Sequence, residues 1–590
     1  MPRASEPPAI TVAITRSPCT DPAGADPEAA PANLADALTR QAARTPAAPA
    51  VDVDGRVLAF QALESLVWKA AAALAGAGVR RGDVVAMACA RPLPHLVSML
   101  AVARLGATVL SIPSSAPHRQ VLEQLDAAVA TVLLRDAEPS APAFGERPPT
   151  GTASTGTAST CPASTDTAST GPASAALAGH ACVADALDAP DAFSDCRSLR
   201  LRLRIDLAAT AALPASACSA DLRDPAPRAP WLIITGSGST GRSKLIPVTH
   251  AQYLARMALA RAWYAPAGER VLSLVGLDFA SAKNLCLEVL FAGGAVVLVE
   301  RPGVDLATLC RLRQVTVVWA SVVHLEQMLA VYPEAACLLP GVRRLYVGSS
   351  TVGEGLRRRV LQHVSPNLHV RYGTNESGVI AIATPDMLRA TAGTVGRPVD
   401  GVTVELVDAH GRPVPDGAVG QVRVRSAAVF DGYPDDPDAN RRVFDGHGFR
   451  CGDLARRTSD GQLVYCGRAD QMMIMDGINI YPAEIERVLG EHPAVADVVA
   501  LPLHSSVHQD IPVAAVALHA GAAVSEDTLR RFAGERLGPR APRRVLVLDA
   551  IPRNPQGKVA RGPLAKAIEA CLSAAAGTRP ADDPGPRART

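Results

Sequence analysis

The stretch IITGSGSTGRSK, residues 233–244, places glycine and hydroxyl side chains directly after a short apolar run. Its glycines follow the spacing G-x-G-x-x-G, which is typical of dinucleotide-binding loops. Such a loop must open a helix and needs an acidic residue about twenty positions later. Here Pro247 interrupts the helix, and the first acidic residue is Glu269. A Walker loop is also excluded, because it requires Gly-Lys-Ser/Thr and this stretch ends in GRSK.

What remains is a loop rich in serine, threonine and glycine that ends in Lys244. Free backbone N–H groups and hydroxyls in such a loop can surround polyphosphate oxygens, and glycine allows close approach of the backbone. The stretch therefore indicates a phosphate-binding loop. The alternative is a flexible linker after a strand, and the loop alone does not decide between the two.

Five further stretches carry polar groups suited to chemistry. Taken singly, each is weak, since a Gly-Asp-Leu is usually a turn, a lone glutamate is usually an ion-pair partner, and a lysine beside Pro-Gln-Gly is usually a solvated charge. In chain order they are YVGSS (346–350), RYGTNES (371–377), FRCGDL (449–454), GRADQMMIMDGINIYPAEIE (467–486) and PRNPQGKVAR (552–561).

Together with the loop, these stretches resemble, in order, the motifs of the acyl-adenylating superfamily, which includes acyl-CoA synthetases, peptide-synthetase adenylation enzymes and luciferases. The resemblance covers roughly residues 33–571, apart from an insertion. The chain departs from the usual loop T-S-G-S-T-G-x-P-K-G at Gly236, Ser243 and Leu245, and Asn375 stands where threonine is usual. These changes affect the stiffness and fine positioning of the loop rather than the chemistry.

The resemblance implies binding of ATP and Mg²⁺. It implies that Thr235, Glu376 and Lys558 are catalytic, with Glu376 as the metal ligand. It places Tyr372 against adenine, Asp453 on the ribose hydroxyls, Arg468 near the ribose, and Asp470 at a hinge. The implied nucleotide-binding set is Thr235, Gly236, Ser237, Gly238, Ser239, Thr240, Gly241, Lys244, Ser349, Tyr372, Gly373, Thr374, Asn375, Asp453, Arg468 and Asp470.

The implied reaction has two halves. A carboxylate attacks the α-phosphorus of ATP and pyrophosphate leaves; a thiol then attacks the acyl-adenylate and AMP leaves. The first half brings anions together, so cationic groups must offset their repulsion. In the family a small domain then rotates about the hinge aspartate, removing the lysine and bringing the segment near Gly477 to the thiol.

The acid is harder to infer. The segment GLDFASAKNLCLEVLFAGGAVVL resembles the region where peptide synthetases place an aspartate that pairs with a substrate amine. We therefore predict a substrate pocket at Asp278, Phe279 and Ser281. Asp278 lies two or three positions early, as in enzymes that activate β-amino acids; alternatively it caps the helix that begins near Ala280. Lys283 could instead attract an anionic substrate group or lie exposed.

Three functions stay open at this point. The first is an AMP-forming ligase that loads a carboxylic acid, an amino acid or a plain aliphatic or aromatic one, onto a phosphopantetheine thiol. We expect the acceptor to be a separate carrier protein or CoA, in secondary-metabolite biosynthesis. The second is a non-catalytic ATP-binding relative, which the joint presence of Glu376, Asp453 and Lys558 disfavours. The third is adenylation coupled to oxidation.

The elements that must position these residues follow an α/β pattern. Short apolar runs such as RVLSLVGL, GGAVVLVE, VTVVWAS and RRLYVGSS alternate with helical periodicity, which predicts parallel sheets with helices. Residues 401–426 predict hairpin strands. We expect a large domain at 31–469, built of stacked sheets with helices and a β-rich subdomain, and a small mobile α+β domain at 470–572.

Composition sets further limits. Residues 1–30 and 573–590 are predicted to be disordered tails, and 138–225 a low-complexity insertion, because the repeat GTAST-GTAST-CPAST has no large apolar side chains. Within it, RSLRLRLRIDL predicts a short strand and helix. The formal net charge of +2 gives no basic field for nucleic acid. We see no membrane span and no signal peptide, and expect a cytoplasmic protein.

Overall fold

The computed structural model describes residues 33–112, 118–136, 198–213, 227–236, 244–261, 268–301, 303–333, 335–475, 478–505, 509–553 and 558–577. These residues form three sheets with helices packed on them, which confirms the predicted α/β class with a large domain of sheets and a small α+β domain.

The first sheet has six strands and carries the start of the phosphate-binding loop. Its central strands Val84–Met87 and Thr108–Ser111 are buried along most of their length, as expected where helices cover both faces. In spatial order the strands are Leu201–Ile205, Val132–Asp136, Val84–Met87, Thr108–Ser111, Pro230–Gly236 and Lys244–Thr249. The last two are antiparallel and flank the loop, so both of its ends are fixed by one sheet.

The second sheet has thirteen strands and runs from the β-rich region to the N-terminal hairpin. Its spatial order is Thr403–Val407, Val419–Arg425, Phe449–Arg457, Leu463–Arg468, Thr394–Pro398, Gly378–Ala383, Leu368–Thr374, Arg344–Val347, Val317–Ala320, Arg270–Ser273, Ala295–Leu298, Pro49–Val53 and Arg56–Ala59. In this spatial order, the strands from Leu368–Thr374 to Pro49–Val53 pair in parallel. The strands of the predicted hairpin region pair antiparallel.

Helices cover these two sheets and share one continuous apolar core with them. One of these helices is Phe60–Gly76, and Gly78 follows it with a φ of +99°, the left-handed conformation expected after a helix end. The helices are Leu34–Arg44, Phe60–Gly76, Pro92–Arg104, His118–Ala127, Leu207–Ala211, His250–Ala260, Ala280–Phe291, Leu306–Leu312, Val322–Val331, Glu354–His363, Pro385–Ala390 and Pro437–Val443, with a 3₁₀ turn at Ala469–Gln471.

The small domain contains the third sheet and its own apolar core. Its strands Ile478–Ile480, Met473–Met475, Gln509–Leu518 and Val495–Ser505 lie in that order, and Arg544–Leu548 pairs in parallel with Gln509–Leu518. Its helices are Pro482–Gly490, Glu526–Leu537 and Arg561–Gly577, with a 3₁₀ turn at Gly538–Arg540.

One boundary differs from the prediction. The last helix continues to Gly577, past the predicted boundary at residue 572, because its alanine-rich sequence favours helix. Within the predicted insertion 138–225, the short strand and helix expected at RSLRLRLRIDL are observed as Leu201–Ile205, which forms an edge of the six-stranded sheet, and Leu207–Ala211.

Candidate functional site

A cavity of about 1500 Å³ lies where the large sheet meets the small domain. It brings together side chains and turns from both domains, although they are far apart in the sequence. The predicted residues that line it are Gly236, Lys244, Ser281, Ser349, Tyr372, Gly373, Thr374, Asn375, Glu376, Asp453, Arg468, Asp470 and Lys558.

The remaining predicted residues are not among those described as lining the cavity. Ser237, Gly238, Ser239, Thr240 and Gly241, as well as Gly477, lie outside the described residues. Thr235, Asp278 and Phe279 are described but do not line this cavity. The Thr235 hydroxyl accepts a hydrogen bond of 3.4 Å from Gln124 Nε2.

Asp453 is the most constrained acid of the site. It lies on the strand Phe449–Arg457, directly opposite Arg468 on the next strand. Its Oδ2 accepts a hydrogen bond of 2.7 Å from the Tyr372 hydroxyl, and its Oδ1 accepts one of 3.3 Å from Arg468 Nη1. Burial raises the pKa of Asp453, whereas the Arg468 charge and the Tyr372 hydroxyl partly oppose this rise.

Tyr372 connects this acid to the aromatic side of the cavity. Its ring centroid lies 6.2 Å from that of Tyr465, and Cys451 Sγ lies 3.7 Å from its hydroxyl. Burial raises the pKa of Tyr372 well above its ordinary value, and the nearby Cys451 and Asp453 raise it further. The hydroxyl is therefore protonated and donates to Asp453.

Glu376 lies at a more open end of the site. Its Oε1 accepts a hydrogen bond of 2.9 Å from the Tyr433 hydroxyl, and Lys244 Nζ lies 4.7 Å from the centroid of the same Tyr433 ring. Tyr433 thus contacts both Lys244, the last residue of the phosphate-binding loop, and Glu376, the predicted metal ligand. Tyr433 could not be predicted as a site residue, because a tyrosine in a Gly-Tyr-Pro sequence has no spacing that distinguishes it.

Arg256 holds the backbone beneath Glu376. Its Nη2 donates hydrogen bonds of 3.0 Å to the carbonyls of Asn375 and Glu376, and its Nε donates one of 3.2 Å to that of Ala428. Burial lowers the pKa of Arg256 to about 10, and the charges of Tyr253 and Glu376 oppose that shift. A single arginine on the apolar helix His250–Ala260 was the available signal for this residue, and we missed it.

The turn that carries Glu376 depends on a glycine. A Cβ at Gly373 would lie 2.1 Å from the carbonyl oxygen of Gly378, so a side chain cannot be accommodated. The adjacent loop after the strand Arg344–Val347 is strained at Ser349, whose φ is +69°. Both turns lie at the carboxyl ends of parallel strands, where ligand sites of α/β proteins form.

Lys558 reaches the cavity from the small domain. Its side chain is exposed to the cavity, where the surrounding protein partly removes water from the ammonium and so lowers its pKa. The Glu376 charge raises that pKa, and the Arg468 charge lowers it. Arg553 and Val559 form an isolated antiparallel bridge, and Arg553 forms a bidentate pair with Asp497, with N–O distances of 2.9 and 2.7 Å.

The metal prediction rests on one carboxylate. In the described part of the chain, no three His, Cys, Asp or Glu side chains gather as a metal site. A magnesium ion needs hard oxygen ligands and is usually held by one or two carboxylates plus substrate phosphates. Glu376 fits this requirement, because only its Oε1 accepts a hydrogen bond from the described residues.

The predicted amine-binding acid has a different environment. Phe279, not Asp278, occupies the N-cap of the helix Ala280–Phe291, and no side chain caps that helix. The helix-cap alternative for Asp278 is therefore not observed. Lys283 is fully buried, its Nζ donates to Ser111 Oγ, and the charge of Asp278 acts on it. The charge of Asp278 thus acts on a buried cation of the chain, and its pairing with a substrate amine stays a prediction.

None of the described helices is long and apolar enough to cross a membrane.

Comparison with known proteins gives consistent matches. Residues 38–434 match the family model described as AMP-binding enzyme, and residues 484–558 match that of the AMP-binding enzyme C-terminal domain. Novobiocin biosynthesis protein H of Streptomyces niveus is 28% identical over 568 residues, which cover 93% of this chain and 85% of that protein.

A second relative, the indoleacetate–CoA ligase of Aromatoleum aromaticum, is 31% identical over 352 residues, which cover 57% of this chain and 67% of that enzyme. Among solved structures, the amide bond synthetase McbA from Marinactinospora thermotolerans has a similar fold, with a TM-score of 0.73 at 22% identity. The match covers 91% of this chain and 100% of that one.

Proposed function

Because the chain belongs to the AMP-binding enzyme family and is an AMP-forming ligase of the acid–thiol class, we propose that it converts a carboxylic acid to its acyl-adenylate with ATP and then transfers the acyl group to a phosphopantetheine thiol. The observation that carries this proposal is that Glu376, Asp453 and Lys558 line one cavity at the domain junction.

In the first half reaction, the acid's carboxylate oxygen bonds to the α-phosphorus of ATP while the bond to the pyrophosphate oxygen breaks. Lys558 offsets the charge that develops on the phosphoryl oxygens. Asp453, held by Tyr372 and Arg468, accepts hydrogen bonds from the ribose hydroxyls. This contact fixes the α-phosphorus in line with the attacking carboxylate of the substrate. Lys244 and the residues that precede it contact the outer phosphates.

Glu376 would hold Mg²⁺, with Tyr433 fixing one carboxylate oxygen and Arg256 fixing the backbone. The chemistry that the ion supplies when bound is neutralisation of charge on the phosphate oxygens. Because outer residues orient a metal ligand, Tyr433 and Arg256 belong to the machinery even though they would not touch the ion.

In the second half reaction, the thiol attacks the acyl carbon and AMP leaves. Lys558 has no role there, so we propose that the small domain rotates about Asp470, which lies in the 3₁₀ turn Ala469–Gln471 at the domain junction. The acceptor is a separate carrier protein or CoA, and the enzyme works in the cytoplasm. Novobiocin biosynthesis protein H supports a place in secondary-metabolite biosynthesis.

The test measures the two half reactions separately. Acid-dependent pyrophosphate release should be detected over a panel of aliphatic, aromatic, α-amino and β-amino acids. Lys558→Ala should lower that rate by about 10²–10³-fold, the usual loss when one transition-state contact is removed. Thiol transfer from a supplied acyl-adenylate should stay near the wild-type rate.

The matched control is Lys566→Ala, because Lys566 is an exposed lysine on the helix Arg561–Gly577 of the same domain. This variant should leave both rates unchanged. Equal losses in both half reactions for Lys558→Ala would contradict the proposed rotation, and the absence of pyrophosphate release with every acid would contradict the proposed activity.

A further inference from the structure

The cavity has a second arm on the opposite side of the strand Leu368–Thr374. Arg371 and Tyr372 are consecutive on that strand, so their side chains point to opposite faces of the sheet. Tyr372 faces Asp453, whereas Arg371 faces the helix Ala280–Phe291, yet both residues line the same cavity. The proposed nucleotide residues lie on the Tyr372 side, which leaves the Arg371 side for the acid.

A buried charged pair lies on this side of the strand. Arg371 donates two hydrogen bonds to Glu288, of 2.8 and 2.9 Å, and the two side chains are only 8% and 2% exposed. The guanidinium carbon lies 5.3 Å from the Tyr346 ring centroid and 6.0 Å from the Trp319 ring centroid. Separating the two charges of such a buried pair is costly. A substrate whose alkyl chain displaced either side chain would therefore bind poorly.

Trp319 narrows the arm from the side. A Cβ built on Gly348 would lie 2.9 Å from the Trp319 ring, so the indole lies directly against the backbone of the next strand. No space remains between the indole and that backbone. Aromatic and charged side chains therefore bound this side of the cavity.

The near wall of the arm is polar. Ala280, Ser281 and Asn284 lie on one face of their helix and line the cavity. Asn284 Oδ1 is buried and accepts no hydrogen bond from the described residues. A buried acceptor without a donor costs free energy, so a bound molecule that supplies the donor is favoured over one that does not.

We propose that the acid is short and carries a hydroxyl or amino group that donates a hydrogen bond to Asn284, while Trp319 and the Arg371–Glu288 pair set the upper limit on its length. This inference rests on the proposed function and specifies its substrate class. It assigns amine or hydroxyl recognition to Asn284 rather than to Asp278.

The test compares kcat/KM for acid-dependent pyrophosphate release with matched acids. One series runs from butyrate through hexanoate and octanoate to dodecanoate; a second gives plain, hydroxy, amino and keto forms of the butyrate skeleton. We expect the hydroxy or amino form to exceed the plain and keto forms by about tenfold or more. Activity should fall sharply beyond hexanoate.

Two variants connect these preferences to the named residues. Asn284→Ala should remove the advantage of the donor-bearing acid, whereas Asn367→Ala, at a half-buried asparagine outside the cavity, should keep it. Trp319→Ala should shift the preferred length upward; Trp319→Phe, which keeps a buried ring, should give a smaller shift and covers the case in which the alanine variant does not fold.

Three results would overturn the inference while leaving the proposed function intact: preference for octanoate or dodecanoate, preference for the keto form, or an unchanged acid preference in folded Asn284→Ala. Pyrophosphate release with none of the acids in the panel would instead overturn the proposed function and this inference with it.

Discussion

At the scale of single residues, two carboxylates of the site differ in their burial and in their hydrogen bonds. Asp453 is buried and has hydrogen bonds on both oxygens, from Tyr372 and Arg468. Glu376 is half-buried and accepts one hydrogen bond from the described residues, on Oε1. The first acid is suited to a fixed neutral ligand such as a ribose, and the second to a cation that needs a free oxygen.

Tyr433 should affect the binding of Mg²⁺ more than the binding of the substrate acid. In Tyr433→Phe the ring beside Lys244 remains, but Glu376 loses the hydrogen bond that orients it. Loss of such an outer partner typically weakens metal binding by about 10–100-fold. We expect the Mg²⁺ concentration for half-maximal pyrophosphate release to rise by about tenfold, with little change in the KM for the acid.

The control is Tyr332→Phe, which removes the 3.4 Å hydrogen bond from a tyrosine hydroxyl to Asp305 on the outside of the large domain. A matching rise of the Mg²⁺ requirement in this variant, or no rise in Tyr433→Phe, would contradict the role given to Tyr433.

The sequence predicted those site residues that belong to motifs of fixed spacing, among them Glu376, Asp453 and Lys558. It did not predict Tyr433 or Arg256. Their roles arise from contacts between distant segments: Arg256 donates to carbonyls more than a hundred residues away, and carbonyls exist at every position. A backbone acceptor leaves no trace in the sequence, so only the fold reveals which arginine is needed.

At the scale of elements, the helix Ala280–Phe291 has two different faces. One face carries Ser281 and Asn284 into the cavity, and another buries Lys283 against Ser111 at the end of the strand Thr108–Ser111. Burial lowers the pKa of Lys283 to about 8, and the charge of Asp278 opposes this shift. The helix packs on the strands Arg270–Ser273 and Ala295–Leu298 of the thirteen-stranded sheet, and Lys283 extends from it to the six-stranded sheet as a buried ammonium that is poorly compensated.

Lys283 should make stability depend on pH in the alkaline range. Its folded pKa of about 8 lies below the ordinary value of about 10.4, so between these pH values the unfolded chain binds more protons and stability rises with pH. Lys283→Met should remove this rise and stabilise the protein at pH 7, by on the order of 1–3 kcal/mol.

Melting temperatures of wild type and Lys283→Met, measured from pH 7 to pH 10, would check this prediction. Lys566→Met removes an exposed lysine and should follow the wild-type curve. If Lys283→Met and the wild type melt in parallel over the whole range, Lys283 is not the group responsible.

Helices and strands were predicted well where the pattern is local. The runs RVLSLVGL, GGAVVLVE, VTVVWAS and RRLYVGSS are observed as the parallel strands Arg270–Ser273, Ala295–Leu298, Val317–Ala320 and Arg344–Val347. The order of the strands was not predictable. Pairing of Pro49–Val53 with Ala295–Leu298 joins segments more than two hundred residues apart, and buried apolar runs of similar composition do not specify which neighbour they take.

At the scale of the whole molecule, charged side chains of the two domains lie together in the cavity that Lys558 lines. Glu326, on the helix Val322–Val331 of the large domain, lines the cavity with Arg553 and Asp497 of the small domain. Burial raises the pKa of Glu326 and Asp497 raises it further, whereas Arg553 and Arg359 lower it. Glu326 is thus repelled by Asp497 and attracted by Arg553, and because Arg553 is already paired with Asp497, the carboxylate of Glu326 is only partly compensated.

The connection between two strands of the six-stranded sheet gives a last prediction. Val132–Asp136 and Leu201–Ile205 pair in parallel, in register from Val132 opposite Leu201 to Asp136 opposite Ile205. A parallel pair needs a crossover of a dozen or more residues. Deleting residues 145–180 leaves 137–144 and 181–197 for that crossover, which is enough, and shortening a long connection changes its closure entropy little. The variant should therefore melt within a few degrees of the wild type and release pyrophosphate at a similar rate.

The control deletion removes residues 138–213 and with them the edge strand Leu201–Ile205, so it should lower the melting temperature substantially. Similar losses of melting temperature in the two deletions would show that residues 145–180 contribute to the fold.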